Sequence, residues 1–130
     1  MASILKVDAL QGITSAGDIT VTSEGGAATQ SLQQGLAKAW VYANGNAGLL
    51  DSINIASSTD HGTGDYSYAL NNAFSSTNYV HNATSSTTAQ GRIATRNSGR
   101  ATTSVIAVET AQSTALNDTV NGSSVHGDLA

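Results

Sequence analysis

Clusters of turn-forming residues cut this chain into mostly short runs, and that punctuation restricts the fold more than any other feature of the sequence. The clusters include Gly25-Gly26, Asn44-Gly45-Asn46-Ala47-Gly48, Asp60-His61-Gly62-Thr63-Gly64, Asn97-Ser98-Gly99 and Asn121-Gly122. Several runs between them alternate apolar with hydroxyl or amide side chains, as strands with one buried face do. Ile19-Thr20-Val21-Thr22 is β-branched throughout and reads as a half-buried strand. Ser52–Ala56 and Asp65–Leu70 alternate on either side of a glycine-rich turn and predict a hairpin. Trp40–Tyr42, Asn78–Asn82, Ile93–Thr95 and Thr102–Val108 are further expected strands, and Thr119-Val120 with Ser124-Val125 suggests a closing pair. The Ser/Thr stretch 84–88 reads as an exposed loop. Strands recurring every 8–12 residues or so predict a mainly β chain, an antiparallel β-sandwich or barrel-like module.

Two segments depart from that pattern. Ile4–Leu10 alternates loosely and predicts a short strand that acts as an N-terminal arm. Ala27–Lys38 carries Leu32 and Leu36 at i, i+4 and predicts one short helix, weakened by about 1 kcal/mol at Gly35. The expected organisation is an arm and strand over 1–26 and a β-rich module with a short leading helix over 27–130, together one domain.

The apolar content of 39% is dominated by alanine, with one Trp, one Phe, one Met and four Tyr. Small domains with so little to bury are rescued by disulfides, metals or oligomerisation. There is no Cys, and His61, His81 and His126 lack zinc-ligand spacing. A homo-oligomer, expected to be a trimer, remains. Leu32 and Leu36 near its axis, with Tyr66 and Tyr68 on one strand face, are the expected interface residues. A net charge of −4 disfavours phosphate contacts, so nucleic acid is not an expected partner. No apolar run approaches the roughly 20 residues of a membrane span, and no secretory signal opens the sequence. No membrane insertion is expected, and assembly is placed in the cytoplasm. For the same reason the sequons at Asn82, Asn117 and Asn121 predict no modification.

No catalytic constellation stands out. Asp60-His61-Gly62-Thr63-Gly64-Asp65 has two carboxylates but too few ligands for calcium, and its glycines are explained by a tight loop with positive φ. There is no G-x-S-x-G elbow, and no serine is marked as a partner for His61. The nine acidic residues are scattered and form no evident glycosidase pair. Neither an enzyme, a metal nor a cofactor is expected. Trp40, at the junction of helix and strand, is expected in the core; exposed, it would offer a sugar-stacking face.

Leu36-Ala37-Lys38-Ala39-Trp40-Val41, Asp51-Ser52-Ile53-Asn54-Ile55-Ala56-Ser57 and Gly62-Thr63-Gly64-Asp65-Tyr66 resemble a family of fibre-like virion proteins of tailed bacteriophages, of marine and cyanobacterial type. The resemblance covers roughly residues 30–80, and Leu5-Lys6-Val7-Asp8 is similar to the start of such proteins. The family pattern continues with Met-Pro where Asn72-Ala73-Phe74-Ser75 stands here. The resemblance implies a small virion-surface module, a capsid decoration or cement protein or a head-surface protein. In that role Ile4, Leu5, Val7 and Leu10 would clamp the major capsid protein or another virion protein by strand addition. The rival expectation is a tail-fibre-like receptor-binding tip, with loops 58–64, 84–90 and 96–100 contacting a host-surface glycan or protein.

Overall fold

The computed structural model describes residues 4–14, 19–23, 25–86, 91–95, 103–112 and 115–129. The chain divides into two compact units, Met1–Leu36 and Ala37–Ala130.

In the first unit, residues 4–14 form neither strand nor helix. Ile4 and Leu5 are each 77% exposed, and Val7, Leu10 and Ile13 are exposed as well. The strand expected over Ile4–Leu10 is therefore absent from the isolated chain. Strands β1 (Thr20–Thr22) and β2 (Thr29–Ser31) pair antiparallel, with Thr20 opposite Ser31 and Thr22 opposite Thr29. Ser23 N–H donates to Ala28 O and Gly26 N–H to Ser23 O, closing the hairpin, with Gly26 at φ 71°. A single helical turn, α1 (Leu32–Gly35), follows.

The helix expected over Ala27–Lys38 is thus corrected to a strand and one turn. Two leucines give a helix little to bury, whereas the glycine turn brings Thr29–Ser31 alongside β1, where ladder bonds form at once. Because 27–31 folds onto 20–22, the unit boundary lies after Leu36 rather than after Gly26. All of β1 is exposed, so the half-buried character read from its alternation is not realised.

The second unit is a β-sandwich. Its strands are β3 (Ala39–Ala43), β4 (Leu49–Ile53), β5 (Ile55–Asp60), β6 (Asp65–Leu70), β7 (Val80–Ser86), β8 (Gly91–Thr95), β9 (Val105–Gln112), β10 (Ala115–Leu116) and β11 (Val120–His126). One sheet has the order β4-β3-β11-β7; the other runs β5-β6-β9, with β8 and β10 both pairing β9. Every pairing is antiparallel.

Alternation sends Ala39, Val41, Ala43 and Val125 inward from the first sheet, where they join Tyr66, Tyr68, Leu70, Ile106 and Val108 from the second in one buried cluster. Phe74, stacked on Tyr79 at 4.8 Å between ring centroids, belongs to the same cluster. The small residues of β3 leave room for the two tyrosines, so a chain poor in Leu and Phe still fills its interior.

Three sequence expectations are redrawn here. Ser52–Ala56 is not one strand: the chain crosses from the first sheet to the second at Asn54, which holds φ 60°. Asn54 Nδ2 donates to Lys38 O and Asn72 O, and Asn54 Oδ1 accepts from Asn72 N–H at 2.7 Å, so one side chain pins the corner. Asn, which tolerates the left-handed region, suits that place. Asn121-Gly122 is no turn either: Val120–His126 is one strand, central in its sheet between β3 and β7. Strand β7 runs on to Ser86, through part of the stretch read as a loop.

Candidate functional site

The hairpin loop between β5 and β6 holds the residues that chemistry first singles out. Gly62 N–H donates to Asp60 Oδ1 at 2.8 Å, His61 N–H to Asp65 O, and Asp65 N–H to Gly62 O, so the loop closes on itself. Gly62 and Gly64 have φ of 123° and 66°, the positive values expected for this loop. Gly64 is also pressed against the next hairpin: an added Cβ would collide with Thr110 O and lie 2.9 Å from Asn117 N.

His61 Nε2 lies 2.8 Å from Ser67 Oγ, a base-to-hydroxyl contact that nothing in the spacing of the serines marks out. Ser67 is buried in the middle of β6, a strand paired on both sides by β5 and β9. Its surrounding amides are engaged in ladders and none converges on an oxyanion position. No carboxylate among the described residues bonds the His61 ring. The pair ties the loop to its strand. Among the described residues no three His, Cys, Asp or Glu side chains gather as metal ligands.

The interface expected at Tyr66 and Tyr68 is overturned by their burial. Both are 0% exposed inside the sandwich, so neither offers surface to another chain. Tyr66 Oη lies 2.8 Å from Gly45 O and 2.9 Å from Asp118 Oδ1, and Asp118 Oδ1 also accepts Gly64 N–H. Burial, reinforced by the Asp118 carboxylate, pushes the Tyr66 hydroxyl up to about 12. Tyr68 donates to Asn121 Oδ1 at 2.7 Å, bridging the two sheets, and burial likewise raises it to about 12. His81 sits opposite Val125 on the inward face of β7, its Nε2 without a hydrogen-bond partner among the described residues. Burial there lowers its pKa to about 4.

The other expected interface residues lie elsewhere. Leu36, at 55%, is exposed and Leu32 is half-buried, both in the first unit, which also holds the exposed Ile4, Leu5, Val7 and Leu10. Of the expected receptor loops, 58–64 is the hairpin above, 84–90 is described only to Ser86, and 96–100 lies outside the described residues.

The sequence reading missed the outward face of the four-stranded sheet. Asp51, Tyr42, Gly122 and Thr84 stand opposite one another across β4, β3, β11 and β7, and Ile53, Trp40, Ser124 and Asn82 form the next row. Trp40 is consequently half-buried on this outer face and not in the core, because the flanking Ala39 and Val41 take the inward positions. Neither row is contiguous in sequence; only the strand register assembles them.

Comparison with protein-family models, with curated proteins and with solved structures finds no match to this chain.

Proposed function

We propose that this chain is a structural protein of the tailed-bacteriophage virion, a small oligomeric capsid decoration or head-surface protein without catalytic activity. One observation carries the reading. Five large apolar residues between Ile4 and Ile13 are exposed, in a segment without secondary structure of its own. Backbone of that kind has free donors and acceptors, and laid along a sheet edge of another protein it would gain ladder bonds while burying alternate apolar side chains. The motif resemblance at Leu36–Val41 and Asp51–Tyr66 supports the same class of protein. Exposed Leu36 and half-buried Leu32 support self-association through the first unit, as a trimer in this reading.

Deleting residues 1–12 is expected to abolish binding to phage particles while the soluble oligomer keeps its mass. Normal particle occupancy by the truncated chain would overturn the proposal. Immunogold labelling of intact virions checks the location: label on the head surface fits decoration, and label confined to the tail end transfers the protein to the receptor-binding class.

A further inference from the structure

The outward face of the β4-β3-β11-β7 sheet has features that the decoration reading does not use. Gly122, at its centre, leaves a gap flanked by two side chains. A Cβ built there would lie 3.2 Å from Thr84 Oγ1 and 3.8 Å from Tyr42 Cδ2. The tyrosine ring thus leans toward the glycine from one side and a hydroxyl from the other. Tyr42 is 49% exposed, a large aromatic surface that the fold leaves in solvent beside this depression. The four positions Asp51, Tyr42, Gly122 and Thr84 lie in one register line across four strands. At about 4.8 Å between strands the line is roughly 14 Å long, longer than a single sugar ring.

We propose that this face binds a neutral oligosaccharide. An exposed aromatic ring receives the apolar C–H face of a pyranose, while hydroxyl, amide and carboxylate groups around it exchange hydrogen bonds with the sugar hydroxyls. Thr84 and Asn82 are exposed on one side of the gap and Asp51 on the other. The row carries a single charge, the Asp51 carboxylate, within a chain of net charge −4. That balance suits a neutral ligand and disfavours sialylated or sulfated ones. A protein partner would be expected to meet apolar surface across the whole face, whereas here Tyr42, Trp40 and Ile53 are confined to β3 and β4, and glycine, serine, threonine and asparagine fill the two rows on β11 and β7.

The inference is independent of the arm and of where on a particle the protein sits. Its test uses the full chain, a printed panel of neutral and anionic oligosaccharides, and fluorescence titration with the best neutral binder. Trp40 is the only tryptophan and stands on this face, so its emission reports the site directly. Tyr42→Ala is expected to weaken binding about tenfold or more. Gly122→Ala, which fills the depression, should also weaken it, while Thr59→Ala on the other sheet leaves it unchanged. Tyr42→Phe keeps the ring and should retain most of the affinity, which separates stacking from loss of fold. Four results overturn the proposal: no neutral glycan bound by the wild type, binding undiminished in Tyr42→Ala, binding of anionic glycans alone, or a drop in oligomer mass in Tyr42→Ala that makes the face a contact between copies.

Discussion

The two units of this chain are both built from antiparallel strands, yet they stand at opposite ends of what a strand can do. In the first, β1 and β2 are three residues each and nearly every side chain on them faces solvent. In the second, β6 is paired on both sides and five of its six residues are buried. Ile19-Thr20-Val21-Thr22 and Asp65–Leu70 look equally strand-like as sequence. Alternation states which residues share a face, but a face is buried only when a second layer is laid over it. The stability of the chain therefore resides in 37–130, and the first unit is available for contacts outside itself.

This contrast is sharpest at Gly64, which combines a left-handed backbone with close approach to Thr110 O. Gly64→Val should destabilise the second unit by roughly 3–5 kcal/mol, seen as a collapse of the urea midpoint followed through Trp40 emission. A change below about 1 kcal/mol would show that the two hairpins are not locked together there.

Acid comes next. His81 is buried neutral with its pKa lowered to about 4 from an ordinary 6.5, so the unfolded chain takes up the proton first as pH falls. Its contribution to stability is complete above about pH 6.5 and is lost progressively toward pH 4, amounting to at most about 3 kcal/mol. His81→Leu should flatten the dependence of unfolding free energy on pH across that window. An unchanged slope in the variant would assign the acid sensitivity to other groups.

Tyr68→Phe removes the hydroxyl that bridges the sheets and leaves Asn121 Oδ1 buried without its donor. A loss of about 1–3 kcal/mol is expected by chemical denaturation. The smallest effect is expected from the first unit. Leu32→Asp with Leu36→Asp should change the unfolding free energy of the 37–130 sandwich by less than about 0.5 kcal/mol. Equilibrium sedimentation of the same variant is expected to show monomer. An unchanged oligomer mass would locate self-association outside these two leucines.

Much of the sandwich was legible because its strands obey local rules: β6 follows from alternation and the hairpin loop at 61–64 from glycine placement, whereas β3, apolar throughout, could be read as a strand but not for which face Trp40 takes. What escaped depends on tertiary partners. Asn54 looked like one more polar position in an alternating run, and only the second sheet makes it a corner. Asn121-Gly122 has the signature of a tight turn, but Asn121 is held by Tyr68 and Gly122 faces Tyr42 and Thr84, so the segment stays extended. Leu32 and Leu36 fitted a helical stripe, yet the hairpin beside them had the stronger local alternative. The outward face with Tyr42 and Gly122 was invisible for a different reason, since its residues come from four strands and meet only through register.

The central place of β11 bears on how the protein reaches its fold. Ala43 and Asn121 are direct neighbours in the sheet although most of the module lies between them in the chain. Strands β3 and β7 flank β11 and do not pair with each other, so the β3–β4 hairpin and β7 wait with open edges until residues 120–126 are available. Contacts of such long sequence separation slow folding, and uncovered edges invite pairing with the wrong chain. During synthesis the sheet closes only after its last strand has left the ribosome, and nascent chains stalled before Val120 should be the aggregation-prone species in the protein's production.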